Sequence, residues 1–197
     1  MSDRTCWSCG GGVAARDALC PSCAKVQPPV PAGASLDKFA LLGLEPSFDE
    51  QQGLDDQFRA LSRKLHPDRF ARATPRERRY SLEQTTLLND AYKTVKDPVR
   101  RAEHLLALRG IKVEPKMSPE FLEQTLEDRE RLLEAKMSGA PLDPLAKGVR
   151  EQRDRTLSQV RELVENGGDL AQAAELLARM RYYARYLDEV EGRSVEL

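Results

Sequence analysis

From Ser35 onward, apolar residues recur at intervals of three and four rather than two. That is the period of helices with one buried face. A first short helix is predicted over Leu36 to Leu42, ended by Gly43. Ser47-Phe48-Asp49-Glu50 has the form of a capping box opening a second helix. In that helix Leu54, Phe58, Leu61 and Leu65 make one apolar stripe, and Pro67 stops it, because the residue before a proline is pushed out of the α region. Thr74-Pro75-Arg76-Glu77 is another capping box, with proline at the first helical position, where its missing N–H costs nothing. The helix it opens places Leu87, Leu88, Ala91, Tyr92 and Val95 on an inner face. Asp97-Pro98 starts a fourth helix that buries Val99, Ala102, Leu105 and Leu106 and ends at Gly110.

A second helical block follows. Ser118-Pro119-Glu120 caps a helix to about Met137, and Gly139-Ala140-Pro141 breaks the chain. A long polar helix is predicted from about Leu142 to Glu165. Gly167-Gly168 breaks it, and Asp169 caps a last helix to about Val190. The buried stripe of that last helix is read as Leu170, Ala173, Ala174, Leu177, Ala184 and Leu187. Three helices joined by short loops pack most simply as an antiparallel bundle. No internal repeat is visible. The expected fold class is all-α.

Ahead of the helices all four cysteines fall within the first 23 residues, spaced Cys6-x-x-Cys9, ten residues, Cys20-x-x-Cys23. Two such pairs close together point to one metal ion held by four thiolates, and tetrahedral zinc suits that donor set. The loop between the pairs holds too few apolar residues to fold unaided, so metal would supply most of its folding energy. Iron in a rubredoxin-like site is the alternative, since sulfur softness alone does not exclude it. The thiolates could also sense or transiently hold iron. A redox dithiol fits less well, because no thioredoxin-like αβ unit surrounds either pair. Trp7, inside the first knuckle, covers the metal site or packs the module on another surface. The Pro-rich stretch Gln27 to Ala34 marks a spacer.

His66-Pro67-Asp68 lies just where the second helix must stop, before Thr74 opens the third. Taken alone it is an ordinary helix terminator, and the arginines nearby an ordinary solvated face. Its placement between two helices, the first of them basic on its solvent side, resembles a J-domain over residues 35–110. Proline stiffens the turn. The aspartate offers a bidentate acceptor to a partner's arginine, and the histidine packs and orients it. Arg59, Arg63 and Lys64 lie off the apolar stripe, and Arg69 follows the loop. The resemblance implies that this basic face docks on an acidic surface of a DnaK-type ATPase, steered by charge and weakened by salt.

The chain further resembles the HscB type of J-domain co-chaperone. Phe39-Ala40-Leu41-Leu42-Gly43-Leu44, the stretch from Leu88 to Pro98 and the stretch from Arg101 to Gly110 carry the likeness. It continues into Phe121 to Glu127 and Met180-Arg181-Tyr182-Tyr183. It implies partners of two kinds, a DnaK/HscA-type ATPase chaperone and an IscU-type iron–sulfur scaffold protein. The scaffold would bind residues 111–197 through Leu122, Leu126 and Tyr182, with acidic contacts from Glu127 and Glu130. Glu123 stands where bacterial relatives have methionine, which removes apolar area from that patch. The other reading of Leu122, Leu126 and Tyr182 is bundle core, with Phe121, Leu132 and Leu133 competing for the inward face. Some eukaryotic relatives carry a comparable two-knuckle module. The implied organisation is a metal module at 1–27, a linker at 28–34, the J-domain and the C-terminal domain.

Composition narrows the alternatives. Of 197 residues, 32% are charged and 6% aromatic, with a net charge of -1. Such a chain builds thin cores and lacks the basic excess of a phosphate-tracking surface. No apolar run approaches membrane-spanning length, and the first dozen residues lack a signal-peptide core, so the expected compartment is the cytoplasm, where cysteines stay reduced. No catalytic constellation or Gly-rich phosphate loop stands out, so the expectation is a non-enzyme. His104, the second of two histidines, reads as a packing or surface residue. A general J-protein for other clients stays open. So does a zinc-ribbon nucleic-acid adaptor, supported only by Arg76, Arg78 and Arg79.

Overall fold

The computed structural model describes residues 4–14, 16–29, 36–114 and 116–193. Of the expected linker at 28–34, residues 30–34 lie outside them. The chain divides into two compact units, Met1–His104 and Leu105–Leu197.

In the first unit, β1 (Arg4–Thr5) pairs antiparallel with β2 (Gly12–Val13), and a bridge joins Leu19 to Val26. The strand pair closes off the Cys6–Cys9 knuckle and the bridge closes off the Cys20–Cys23 knuckle. Three helices of this unit follow, α1 (Lys38–Leu41), α2 (Leu54–Leu65) and α3 (Pro75–Lys96). The first is shorter than expected, because the Asp37 carboxylate takes the Phe39 and Ala40 amides and so fixes the helix start after itself. The Ser47 capping box opens no helix. Its hydroxyl accepts from the Asp49 amide in a local turn, and α2 begins seven residues later, after Gly53 at φ 77°. The Thr74 box, in contrast, is complete: the Thr74 hydroxyl accepts from the Glu77 amide and the Glu77 carboxylate accepts from the Thr74 amide.

Helices α2 and α3 lie antiparallel. Near the loop, Ser81 and Thr85 hydroxyls both donate to the Leu65 carbonyl, which has no helical partner because the Arg69 amide turns to the His66 carbonyl. At the far end Phe58 stacks on Tyr92 with centroids 4.1 Å apart, and Tyr92 and Lys96 bond to Asp55. Beyond α3, Arg101 is 5% exposed and donates to the carbonyls of Val95, Lys96 and Phe48. It thereby satisfies the C-terminal carbonyls of α3 and ties the 43–53 loop to them. His104 is half-buried and accepts the Lys38 amide at 3.0 Å, so it packs and caps rather than facing solvent freely.

Helix α4 (Pro98–Leu108) contains the division between the units. The second unit holds α5 (Pro119–Ser138), α6 (Asp143–Glu165) and α7 (Leu170–Val190), capped by Ser118 and Asp169 where expected. Helix α6 runs antiparallel to α7: Arg150 pairs with Glu191, and Thr156 lies at the Tyr183 hydroxyl. Helix α5 runs parallel to α7, with Phe121 against Tyr182 and Tyr183 at one end and Lys136 paired to Glu189 at the other. This is the up-down-up order of a three-helix bundle. Phe121 and Leu132 take the inward face of α5, and Leu133 turns outward. On α7 the expected stripe needs one correction. Ala184 is exposed, while Tyr182, Tyr183 and Tyr186 fill the core beside Leu187. Rings cover more area than alanine, so they set the rotation of the helix.

Candidate functional site

Three groups of side chains stand out, and each is built differently. The first is the corner between α2 and α3. After Leu65, His66 leaves the helix at ψ 130°, and Pro67–Phe70 makes one 3₁₀ turn. His66 Nδ1 accepts from the Asp68 amide at 3.3 Å, so the imidazole holds the turn from inside. The Asp68 carboxylate is 90% exposed and lies 3.5 Å from the same ring nitrogen. No cation of the described residues claims it. On α2, Arg59, Arg63 and Lys64 are all exposed, as is Arg69 after the turn. Only Arg59 has an ion pair among the described residues, a loose 3.7 Å contact to Asp56. The arrangement is an exposed acid on a fixed turn beside a row of exposed bases whose only ion pair among the described residues is that loose one.

The second is the cysteine cluster. The four sulfurs lie within 4.8 Å of one another, with Cys6–Cys23 and Cys9–Cys20 both at 3.7 Å. Sulfurs bound to one tetrahedral ion at a Zn–S length of about 2.3 Å would be about 3.8 Å apart. Two of the sulfur pairs already stand at that separation, and the cluster is compact enough for its four sulfurs to share one ion of that size. Four thiols at this spacing cannot all ionise unaided. Burial alone would raise Cys6, but the amides of Cys9 and Ser8 and the neighbouring sulfurs bring it down to about 6. The Lys25 amide favours the Cys23 thiolate, yet burial and the other three sulfurs push that thiol up to about 12. A bound cation removes the conflict.

The module is fastened to α3. Trp7 donates to the Val26 carbonyl, meets Tyr80 edge-on at 6.1 Å, and lies beneath the Arg76 guanidinium. The indole therefore packs the module onto a helix. Lys25 bonds the Glu77 carboxylate at 2.8 Å, and Gln84 donates to the Gln27 carbonyl. Gln27 is itself fully buried, and its amide nitrogen lies 3.3 Å from Cys6 Sγ. Sequence reasoning missed Lys25, Gln27 and Glu77. A glutamate that completes a capping box reads as local, and nothing in its spacing reveals a lysine 52 residues earlier.

The third is a face of α5. Leu122 and Leu126 are 48% and 63% exposed, so neither is bundle core. Tyr182 is largely buried, its hydroxyl 3.3 Å from Asp128, and it also lines a cavity of about 340 Å³ together with Leu126. The ring is thus part of the bundle core, with one edge on that cavity. Glu127 pairs with Arg131, whereas Glu130 is exposed with no ion pair among the described residues. Asp128 was not singled out from sequence. Burial raises its carboxyl above the ordinary value, against the Tyr182 hydrogen bond and the nearby Arg131.

Comparison with known proteins agrees in both units. Residues 117–191 match the family model of the HSCB C-terminal oligomerisation domain. The iron–sulfur cluster co-chaperone protein HscB of Mus musculus is 32% identical over 94% of this chain and 81% of its own length. A co-chaperone protein HscB homolog of Vibrio cholerae is 37% identical over 79% of this chain and 95% of its own. The crystal structure of human co-chaperone protein HscB superposes with a TM-score of 0.85 at 31% identity, covering 98% of this chain and all of that one.

Proposed function

Because this chain belongs to the HscB family of co-chaperones, we propose that it acts in iron–sulfur cluster assembly by stimulating a DnaK/HscA-type ATPase and delivering to it an IscU-type scaffold protein. The observation that carries the reading is the exposed, uncommitted Asp68 carboxylate, held by His66 and Pro67 at the corner of two antiparallel helices. An arginine of the ATPase would take both carboxylate oxygens. Arg59, Arg63, Lys64 and Arg69 would speed and orient the encounter with an acidic surface. Binding would favour the hydrolysing conformation of the ATPase through differential affinity, with no bond made or broken by this chain.

The scaffold would dock on Leu122, Leu126 and the edge of Tyr182, with Glu127 and Glu130 at the rim. A small apolar patch of this kind makes a short-lived complex, which suits delivery. Cys6, Cys9, Cys20 and Cys23 would hold structural zinc, whose charge neutralises four crowded thiolates. No helix among the described residues is long and apolar enough to cross a membrane, and the cytoplasm is the proposed site of action.

The test is the steady-state ATPase rate of a matching chaperone with and without scaffold. The chain should raise the rate, and more so with scaffold present. Asp68→Asn should abolish the rise with an unchanged circular dichroism spectrum. Full stimulation by that variant would remove the docking assignment. Metal analysis of the purified chain separates zinc from iron.

A further inference from the structure

The apolar face of α5 does not stop at Leu126. Leu133 is 57% exposed and Met137 is 88% exposed. At 100° per residue, Leu122, Leu126, Leu133 and Met137 fall within about 60° of arc, over about 22 Å of helix. One side of this ridge carries Glu123, Glu127, Glu130 and Glu134 at about 80° to 140° on the same scale. All four are exposed, and only Glu127 has an ion pair among the described residues. The other side opens into the cavity of about 340 Å³ already described, whose rim holds Arg129, Arg181 and Arg185, and one acid, Glu189, already paired with Lys136. Those three arginines are exposed and have no ion pair among the described residues. Elsewhere on this unit exposed charges are commonly paired, as Arg150–Glu191 and Arg155–Glu151 are.

A long apolar ridge between an acidic edge, unpaired but for Glu127, and a basic edge of three unpaired arginines asks for a partner with the opposite order. We propose that the scaffold-docking surface runs the length of α5 to Met137 and is polarised across its width. Its occupant is an element of the scaffold with an apolar strip, basic side chains along one border and acidic side chains along the other. The inference rests on the scaffold reading of Leu122 and Leu126 and adds to it. Like charges meet if the partner turns end for end or slides across, so the two edges select one orientation. The side chain filling the cavity would touch Leu126 and Tyr182 and leave Arg181 and Arg185 to meet carboxylates.

The experiment is calorimetric titration of the full metal-loaded chain with purified scaffold at low and high salt. Melting curves confirm that each variant is folded, which the exposure of every altered position favours. Leu122→Ser/Leu126→Ser measures the underlying reading and should weaken binding tenfold or more. Leu133→Ser/Met137→Ser should weaken it by about fivefold to tenfold, the loss of part of two apolar side chains from an interface. Arg181→Glu/Arg185→Glu should weaken it at low salt and much less at high salt. If the Leu122/Leu126 pair matters and the Leu133/Met137 pair does not, the extension is wrong and the shorter site stands. If neither pair matters, the scaffold reading itself is wrong. Tighter binding by the arginine reversal overturns the polarity. Sedimentation of the same variants shows whether Leu133 and Met137 instead hold a second copy of the chain, which would also overturn the proposal.

Discussion

Replacing Lys25 by methionine tests whether the metal module and α3 form one structural unit. Glu77 is 4% exposed, and Lys25 Nζ sits 2.8 Å from its Oε1 with the lysine side chain 43% exposed. Breaking a fully buried ion pair costs about 3–5 kcal/mol, because a bare charge is left behind, and an exposed pair is worth about 1 kcal/mol or less. Here water reaches the lysine, and the Thr74 hydroxyl and amide still serve the carboxylate. The expected loss is about 1.5–2 kcal/mol. Lys25→Met/Glu77→Gln should recover about half of it, since no buried charge is then left unpaired. Trp7 is the single tryptophan and lies on Tyr80 at this contact, so its emission during urea unfolding reports the interface directly. The pH dependence carries the same information. The Lys25 hydrogen bond is the main cause holding the Glu77 carboxyl below its ordinary 4.5, with Thr74 assisting against burial. As pH falls below that value the unfolded chain takes up the proton first, so stability present above it is lost. Lys25→Met should shrink this acid loss. A variant as stable as the parent, with an unchanged acid limb, would refute the coupling.

Three further outcomes follow from the same geometry. Chelating the metal should expose amides near the start of α3 to hydrogen exchange and shift Trp7 emission, while amides of α7 keep their protection; equal loosening everywhere would contradict a local clamp. Arg101→Ala should cost about 3 kcal/mol or more in urea unfolding, because three carbonyls lose a buried cationic donor at once, and a loss under 1 kcal/mol would mean water replaces it. Tyr182→Phe should lower stability by about 1–2 kcal/mol by leaving Asp128 without its hydroxyl donor, yet change scaffold affinity less than twofold if the ring is what the partner touches.

Helix ends were legible because they are written in short-range chemistry. Thr74, Asp97, Ser118 and Asp169 each cap the next residues in the chain, and the glycines at 110 and 139 take the left-handed turn that ends α4 and α5. The Ser47 motif failed for a reason equally local. A serine hydroxyl can close a turn on the amide two residues on as readily as it can start a helix, and Gly53 supplied the start instead. The rotation of α5 was not legible, since Phe121 and Leu122, or Leu132 and Leu133, are equally apolar neighbours. Only the parallel placement of α7, which meets Phe121 with two tyrosine rings, decides between them. The sulfur cluster could be read from spacing, but its fastening to α3 depends on long-range pairs with no periodic trace.

Most side chains assigned to partners share one physical property: they have been denied the internal contact that their type normally finds, with Tyr182, Glu127 and Arg59 the exceptions. Asp68 sits a few residues from Arg63 and Arg69 and pairs with neither, because His66 and Pro67 fix its turn pointing outward. Leu122 lies one position from Phe121 and Leu126 six from Leu132 on a helix with a well-filled inward face, and they stay in water. The opposite is true of Glu77 and Arg101, whose charges are fully engaged inside the first unit. Charge by itself therefore does not mark function in this chain. An exposed group whose nearest complementary neighbours are close in sequence, yet held away by rigid backbone, has been kept available, and a binding partner is what would complete it.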